Sequence, residues 1–414
     1  MSQSPLGIKT NIIWNTVGNF IYLVSQWLLT FCVVTLLGVE AMGVFSLAIA
    51  IGGALFGISL YGVRNFQVSD VENKYADNIY IIARILTSAV TLIVCAIFVV
   101  LNAYSFFVST CILVFMLFKI SEAFSDVYQG ILQKAMRMDY VGKSLIIRGV
   151  ITLALFVAVL LLTNNLLFCI VILCASSCVI IALYDMRHAK RLSQSIKAVT
   201  WKPQTKGLLI ECLPIAVFLV IFNMLVQIPR YFIELQMGLE ALGYFATIAM
   251  PVLIVQASIN FVFAPLTTPF AEHLNAQRWK EFYSLLRKTA LFILVISVAS
   301  IILAVLFGEW LLILLFGEMI IPYSYLLLPL VICTILVAIS WSIATILVVL
   351  RRQRVVMFLV VISLAIVLFG SYPLIGLFAL NGANIVLIIA LSLFCVGSLI
   401  ALVISLRRHK KSEI

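Results

Sequence analysis

The sequence predicts an all-α integral membrane protein of about 12 transmembrane helices, in two parallel six-helix lobes with both termini in the cytoplasm. Three observations carry this: a composition too apolar for water, basic residues confined to alternate connections, and a short phrase written twice, half a chain apart. Of 414 residues, 64% are hydrophobic and 10% charged, whereas a soluble domain is about a quarter charged. A bilayer core needs about 20 apolar residues per helix. Such stretches run over 11–36, 43–62, 80–101, 105–126, 144–162, 165–184, 207–236, 243–268, 289–307, 323–350, 355–376 and 383–406. They are too long and continuous for the alternating strands of a membrane barrel.

The first stretch passes Asn11, Asn15 and Asn19 and outruns a signal h-region, with no small-residue cleavage site after it, so it reads as a retained span. All but four of the 27 basic residues fall in every second connection or terminus, from Lys9 to Arg407, Arg408, Lys410 and Lys411, and the intervening connections hold none. That is the positive-inside distribution, and it places both termini in the cytoplasm. It also accounts for the net charge of +11 without nucleic acid. The nine cysteines all lie in spans. Cys174 and Cys178 share a helix face without acidic or histidine company, so they read as packing residues; no metal, disulfide or cofactor is expected.

The repeated phrase is "LLGVEAMGVFSLA" (Leu36–Ala48) and "QMGLEALGYFATI" (Gln236–Ile248). Gly38, Glu40, Ala41, Gly43 and Phe45 match Gly238, Glu240, Ala241, Gly243 and Phe245 at a constant offset of 200. Both copies fall at the outer connection after spans 1 and 7. Six spans restore the original orientation, so the halves are parallel copies about an axis along the membrane normal. The glycines suit a tight turn with positive φ, and Glu40 and Glu240 face the headgroups. Residues 1–190 then form the N-terminal lobe, 191–206 a basic cytoplasmic linker that binds headgroups, and 207–414 the C-terminal lobe. The longest outer connection, Gly308–Pro322, is itself mostly apolar.

An ionisable group inside a span costs about 2.5–3.5 kcal/mol on insertion scales, so it marks a cavity or a pair. Here these groups are Arg84, Lys119, Glu122, Asp126, Arg148, Glu211, Arg230 and Glu234. Lys119, Glu122 and Asp126, continued by Gln129, share one helix face. Asn15, Asn19, Tyr22 and Gln26 make a second polar row, on span 1. Each has a plainer alternative. Arg84 and Arg148 lie near inner span ends, within snorkelling reach of headgroups. Lys119 can pair with Glu122, Arg230 with Glu234, and the span 1 row with neighbouring helices. As cavity lining, these cations, amides and aromatics favour an anionic, strongly hydrogen-bonding cargo such as a phosphate-bearing sugar, and disfavour a cationic drug.

"LLGVEAMGVFSLA", "SLYGVRNFQVSD" (Ser59–Asp70) and "DVYQGILQKAMRMDYVGKS" (Asp126–Ser144) resemble bacterial oligosaccharide repeat-unit flippases. These are the polysaccharide-transport branch of the multidrug/oligosaccharidyl-lipid/polysaccharide exporter superfamily. The resemblance implies a V-shaped pair of lobes in the bacterial cytoplasmic (inner) membrane, working by alternating access. Its cargo would be an undecaprenyl-diphosphate-linked oligosaccharide, a repeat unit of O-antigen, capsule or a similar polymer, with the polyprenyl tail left in membrane lipid. Polymerase or assembly-machinery partners would act on the delivered unit. The resemblance maps a cationic lumen onto Arg84, Lys119, Arg148 and Arg230, with Arg64 at the inner mouth, and proton or Na⁺ coupling onto Glu122, Asp126 or Glu234. Two rivals stay open. One is a cation-coupled multidrug exporter of the same superfamily, which would carry acidic residues in its cavity. The other is an enzyme, a membrane polysaccharide polymerase or ligase. Against the enzyme, the outer connections hold no basic residue or histidine; His188, His273 and His409 all lie in inner segments.

Overall fold

A backbone inside hydrocarbon must satisfy its own N–H and C=O groups, and for runs this apolar and continuous the helix does so. The computed structural model describes residues 6–70, 73–193, 204–253, 255, 267–350 and 352–411, and among these there is helix and no strand. The helices are α1 (Ile8–Leu37), α2 (Val39–Leu60), α3 (Val63–Ser69), α4 (Asp77–Leu101), α5 (Phe106–Lys134), α6 (Met138–Thr163) and α7 (Leu166–Ile180). There follow, after a π-helical turn at Ile181–Asp185, α8 (Met186–Leu192), α9 (Gln204–Ala249), α10 (Thr267–Asn275), α11 (Trp279–Phe316), α12 (Leu327–Val349), α13 (Gln353–Phe378) and α14 (Leu380–Lys411). Eleven described helical stretches are long and apolar enough to cross a membrane. The 46-residue α9 turns at Gly238 and so holds span 7 with the start of span 8. The chain is a multi-pass integral membrane protein. Residues 254 and 256–266 of span 8 and the linker residues 194–203 lie outside the described residues.

Apolarity marks the thickness of the bilayer, not the length of a helix, and the helices outrun the spans. α5 continues past Asp126 to Lys134, and α6 starts at Met138. Glutamine, lysine and glutamate are good helix formers once clear of lipid. The expected outer connection 308–322 is mostly helix too: α11 runs to Phe316, Gly317 follows, and a 3₁₀ segment covers Glu318–Leu326.

Both copies of the repeated phrase fold alike. Gly38 has φ 87° and ψ −179°, and Gly238 has φ 85° and ψ 176°. That region is essentially reserved for glycine. A Cβ at either position would meet nothing within 4 Å, so the backbone angle and not crowding requires the residue. In each copy the glutamate is exposed, while Phe45 and Phe245 are buried.

The chain divides into two compact units, Met1–Gln227 and Ile228–Ile414, and the division falls inside α9, not in the basic linker at 191–206. In the first unit α1 and α6 meet through small residues. A Cβ on Gly18 would stand 2.6 Å from the Gly142 Cα, and one on Gly149 would stand 2.8 Å from the Ser25 Oγ. Gly18 and Ser25, like Gly142 and Gly149, are seven residues apart, the spacing that keeps small residues on one contact seam. The first half of α9 packs with this unit: Gly57 of α2 lies against the Val220 backbone, and Leu208 and Cys212 join Tyr75, Ile79 and Tyr80 in a buried cluster. In the second unit, α12 and α13 are tied to α14 by the Ser340–Cys395 contact of 3.2 Å and by Ser363, whose hydroxyl donates to the Ala390 carbonyl at 3.0 Å.

The loop between α3 and α4 closes around Asp70. Its carboxylate accepts from the Lys74 and Tyr75 N–H groups at 2.8 and 3.1 Å and from the Tyr80 hydroxyl at 2.8 Å. Burial pushes the Asp70 pKa up, but these donors, with Lys134 nearby, outweigh it and hold the carboxyl below its ordinary value. The stabilisation is therefore complete above the ordinary carboxylate range and is lost as the pH falls through the lower folded-state value. Asp70→Asn should flatten the acid limb of a plot of unfolding midpoint against pH; an unchanged limb would refute the assignment. Gly38→Ala and Gly238→Ala should each lower stability by about 1–3 kcal/mol, read as a fall in thermal midpoint in detergent. Midpoints equal to wild type in both would contradict the backbone argument.

Candidate functional site: a charge network in the first unit

Four cations and three carboxylates of the first unit form a network inside the spans. Gly62, with φ 65°, turns the chain from α2 into the short α3, which carries Arg64. The Arg64 guanidinium donates to Gln133 at 2.8 Å, Gln129 at 3.2 Å and Asp126 at 3.2 Å. The other oxygen of Asp126 receives Arg84 of α4 at 2.8 Å. Arg84 also donates to the Ser59 carbonyl at the end of α2. One carboxylate thus bridges two guanidinium groups.

About a turn away on α5, Lys119 and Glu122 pair at 2.6 Å. The Lys119 ammonium lies 5.3 Å from the Phe56 ring centre, 5.8 Å from Phe115 and 5.5 Å from Phe118, within cation–π range of all three. Gly52 of α2 lets the stem of Lys119 lie close; a Cβ there would be 3.5 Å from its Cγ. The Tyr22 hydroxyl of α1 donates to the other oxygen of Glu122. Behind it, Arg148 of α6 pairs with Asp185 at 3.0 Å, donates to Ser125 and stands 5.9 Å from the Tyr22 ring centre.

Exposure separates these groups. Arg84 and Arg148 are 0% and 2% exposed. The side chains of Arg64, Asp126, Lys119 and Glu122 are 24%, 21%, 22% and 12% exposed. Neither Arg84 nor Arg148 snorkels to headgroups, and neither lines an open surface. Both are committed inside the unit because a guanidinium in an apolar interior needs a carboxylate partner. The accessible polar stripe is Arg64, Asp126, Glu122 and Lys119, joined by half-buried Tyr22.

In the span 1 row, Asn15 and Asn19 pair along their own helix, while Tyr22 reaches Glu122 of α5. Asn19 donates to the Asn15 carbonyl at 2.7 Å and side-chain oxygen at 2.9 Å, whereas the Gln26 amide nitrogen is buried without a partner among the described residues. Glu211 pairs with Lys74 at 2.6 Å and accepts from the Tyr75 hydroxyl at 3.1 Å, apart from the network. Arg230 and Glu234 are both half-buried on α9, in the second unit, and belong to a different body from the network.

Asp185 lies one residue past the span expected at 165–184 and so stood outside the set of intramembrane charges. Helix continues to Leu192, and the π-helical turn Ile181–Asp185 leaves Asp185 facing Arg148 and Ser125. A lone carboxylate ending an apolar run was the available signal. Gln129 continued the charged row by its spacing, whereas Gln133 and the phenylalanines around Lys119 carried no signal of their own.

Removing one partner of a buried pair strands the other charge and costs about 3–5 kcal/mol, whereas replacing both is often nearly neutral. Arg148→Leu and Asp185→Leu should each lower the thermal midpoint strongly, and the double variant should recover most of that loss. A double variant as unstable as the sum of the singles would show that the two do not act as a pair.

No family model matches the chain. It is 26% identical over 285 residues to the capsular polysaccharide biosynthesis protein CapF of Staphylococcus aureus, covering 69% of this chain and 71% of that one. An inward-facing multidrug resistance MATE family transporter of the MOP superfamily superposes with a TM-score of 0.70 at 11% identity, over 94% of each chain. A mutant of the Vibrio cholerae MATE transporter VcmN superposes at 0.66 with 15% identity, over 97% of this chain and 96% of that one. A MOP superfamily transporter from Pyrococcus furiosus, described as having a binding pocket of reverse polarity, superposes at 0.62 with 14% identity, over 96% and 94%. The chain has the fold of the MATE transporters of the MOP superfamily.

Proposed function

We propose that this chain is a flippase of the bacterial inner membrane. It carries an undecaprenyl-diphosphate-linked oligosaccharide from the cytoplasmic to the periplasmic leaflet by alternating access of two six-helix lobes. The observation that carries the reading is the α5 row of Lys119, Glu122 and Asp126, partly exposed inside a span, with Arg64 and Tyr22 beside it. The similarity to a capsular polysaccharide biosynthesis protein supports a glycan pathway, and the fold supports transport.

A diphosphate sugar carries about two negative charges and many hydroxyls, and burying them in hydrocarbon is prohibitive. Fixed cations in a hydrated cleft remove much of that barrier while the polyprenyl tail stays in lipid. Arg64 and Lys119 are the accessible cations, and each is held by a carboxylate. A phosphate that replaces Asp126 at Arg64 leaves Asp126 with Arg84, so no buried charge is stranded. Arg84 and Arg148 are then positioning residues: they hold Asp126, Ser125 and Asp185 in place. Arg230 offers a further cation in the second unit. A proton or Na⁺ on Glu122, Asp126 or Glu234 supplies the coupling; neutralising Glu122 frees Lys119 for phosphate.

One observation favours a second reading, a cation-coupled multidrug exporter. Arg64, Arg84, Lys119 and Arg148 carry four positive charges against three negative ones on Glu122, Asp126 and Asp185, so the network is nearly neutral. A deletion strain separates the two. Loss of the gene should accumulate lipid-linked repeat units and remove surface polymer. Lys119→Ala and Arg230→Ala should restore at most about a tenth of it, since one charged hydrogen bond contributes roughly 1.5–3 kcal/mol. Wild-type polymer from both variants would overturn the cationic path. Normal polymer in the deletion strain, with heightened sensitivity to cationic drugs, would select the second reading.

A further inference from the structure

α11 is longer than a bilayer requires. Its 38 residues span roughly 57 Å at 1.5 Å per residue, against about 30 Å of hydrocarbon. Its run of lipid-type side chains begins at Leu291 and lasts to Leu314. The turns before Leu291 therefore stand at the headgroup level, at the basic end that charge distribution assigns to the cytoplasm.

There, between α10 and the start of α11, is a cavity of about 370 Å³ lined by His273, Lys280, Glu281, Ser284, Leu285 and Lys288. Lys280, Ser284 and Lys288 are spaced four residues apart and share one helix face. The Nδ1 atom of His273 is buried and has no hydrogen-bond partner among the described residues. Nothing in the charge network of the first unit involves these groups.

We infer that this cavity is a binding site for the phosphate of an anionic phospholipid headgroup, phosphatidylglycerol in chemistry. The Lys280 and Lys288 ammonium groups, two turns apart on one helix face, meet the phosphodiester, with His273 in the cavity wall. Ser284 and Glu281 meet the glycerol hydroxyls, and Glu281 disfavours a bare phosphate dianion. The acyl chains lie along the apolar face that starts at Leu291. The site fixes the basic end of α11 to the inner leaflet, and it stands independently of which cargo the protein carries.

The test uses the full-length protein, delipidated in detergent and titrated separately with phosphatidylglycerol, phosphatidylcholine and inorganic phosphate, with bound molecules counted by native mass spectrometry. Wild type should retain one more phosphatidylglycerol than the Lys280→Gln/Lys288→Gln double variant, whose affinity at that site should fall roughly thirtyfold. Ser284→Leu, which fills the cavity and leaves its charge intact, should lose the same molecule and covers the case in which the double variant fails to fold. Equal retention by wild type and both variants overturns the inference. So does phosphatidylcholine binding as tightly as phosphatidylglycerol. Inorganic phosphate binding as tightly as the lipid overturns the lipid source.

Discussion

Asp126 lies between two guanidinium groups, and the interior of the first unit depends on it. Arg84 is wholly buried, with Asp126 and the Ser59 carbonyl as its partners, while Arg64 reaches the same carboxylate from the α2–α4 connection. An uncompensated guanidinium there keeps its charge and would carry a burial penalty of several kcal/mol. Because Asp126 bridges both, three separate elements, α3, α4 and α5, are held in one geometry by one side chain. The Arg148–Asp185 pair does the same between α6 and the π-helical turn, and Lys119–Glu122 stays within α5.

Small residues decide where these charges meet. In a chain this apolar, leucine and isoleucine face lipid and protein alike, so hydrophobicity cannot say which side of a helix is inside. Gly18, Gly142 and Gly149 bring α1 and α6 close enough for the Tyr22 ring to stand beside Arg148, and Gly52 lets Lys119 lie along α2. The site is therefore a consequence of backbone approach as much as of charge. Its rigidity rests on glycines that have no chemistry of their own.

The helices and the two glycine turns could be read from the sequence because they follow from strong, local constraints. Hydrocarbon enforces length and continuity, and the Gly38 and Gly238 turns demand a backbone angle that few other residues adopt. The partners of the buried charges could not be read. Arg84, Asp126 and Arg148 stood out as intramembrane charges, but pairing Arg148 with Asp185 needed the three-dimensional course of the π-helical turn that follows α7. The same limit made Arg84 and Arg148 look like pore lining when they are structural partners, whereas Lys119, Glu122 and Asp126 kept the face their spacing assigned. Glu211 stood out as a charge in an apolar run, but its partner, Lys74 of the α3–α4 loop, lies 137 residues away and could not be read.

The central claim is that internal carboxylates occupy the accessible cations until a phosphate-bearing headgroup takes their place. Titrating the purified protein with a short polyprenyl diphosphate, with and without Glu122→Gln, tests it directly, because the partner that this change releases, Lys119, is partly exposed and no buried cation loses its carboxylate. If Glu122 competes with phosphate for Lys119, the variant binds the diphosphate more tightly, by roughly tenfold for about 1.4 kcal/mol of relieved competition. Binding that is unchanged or weaker in the variant would mean that the network holds the helices together and takes no part in recognising cargo.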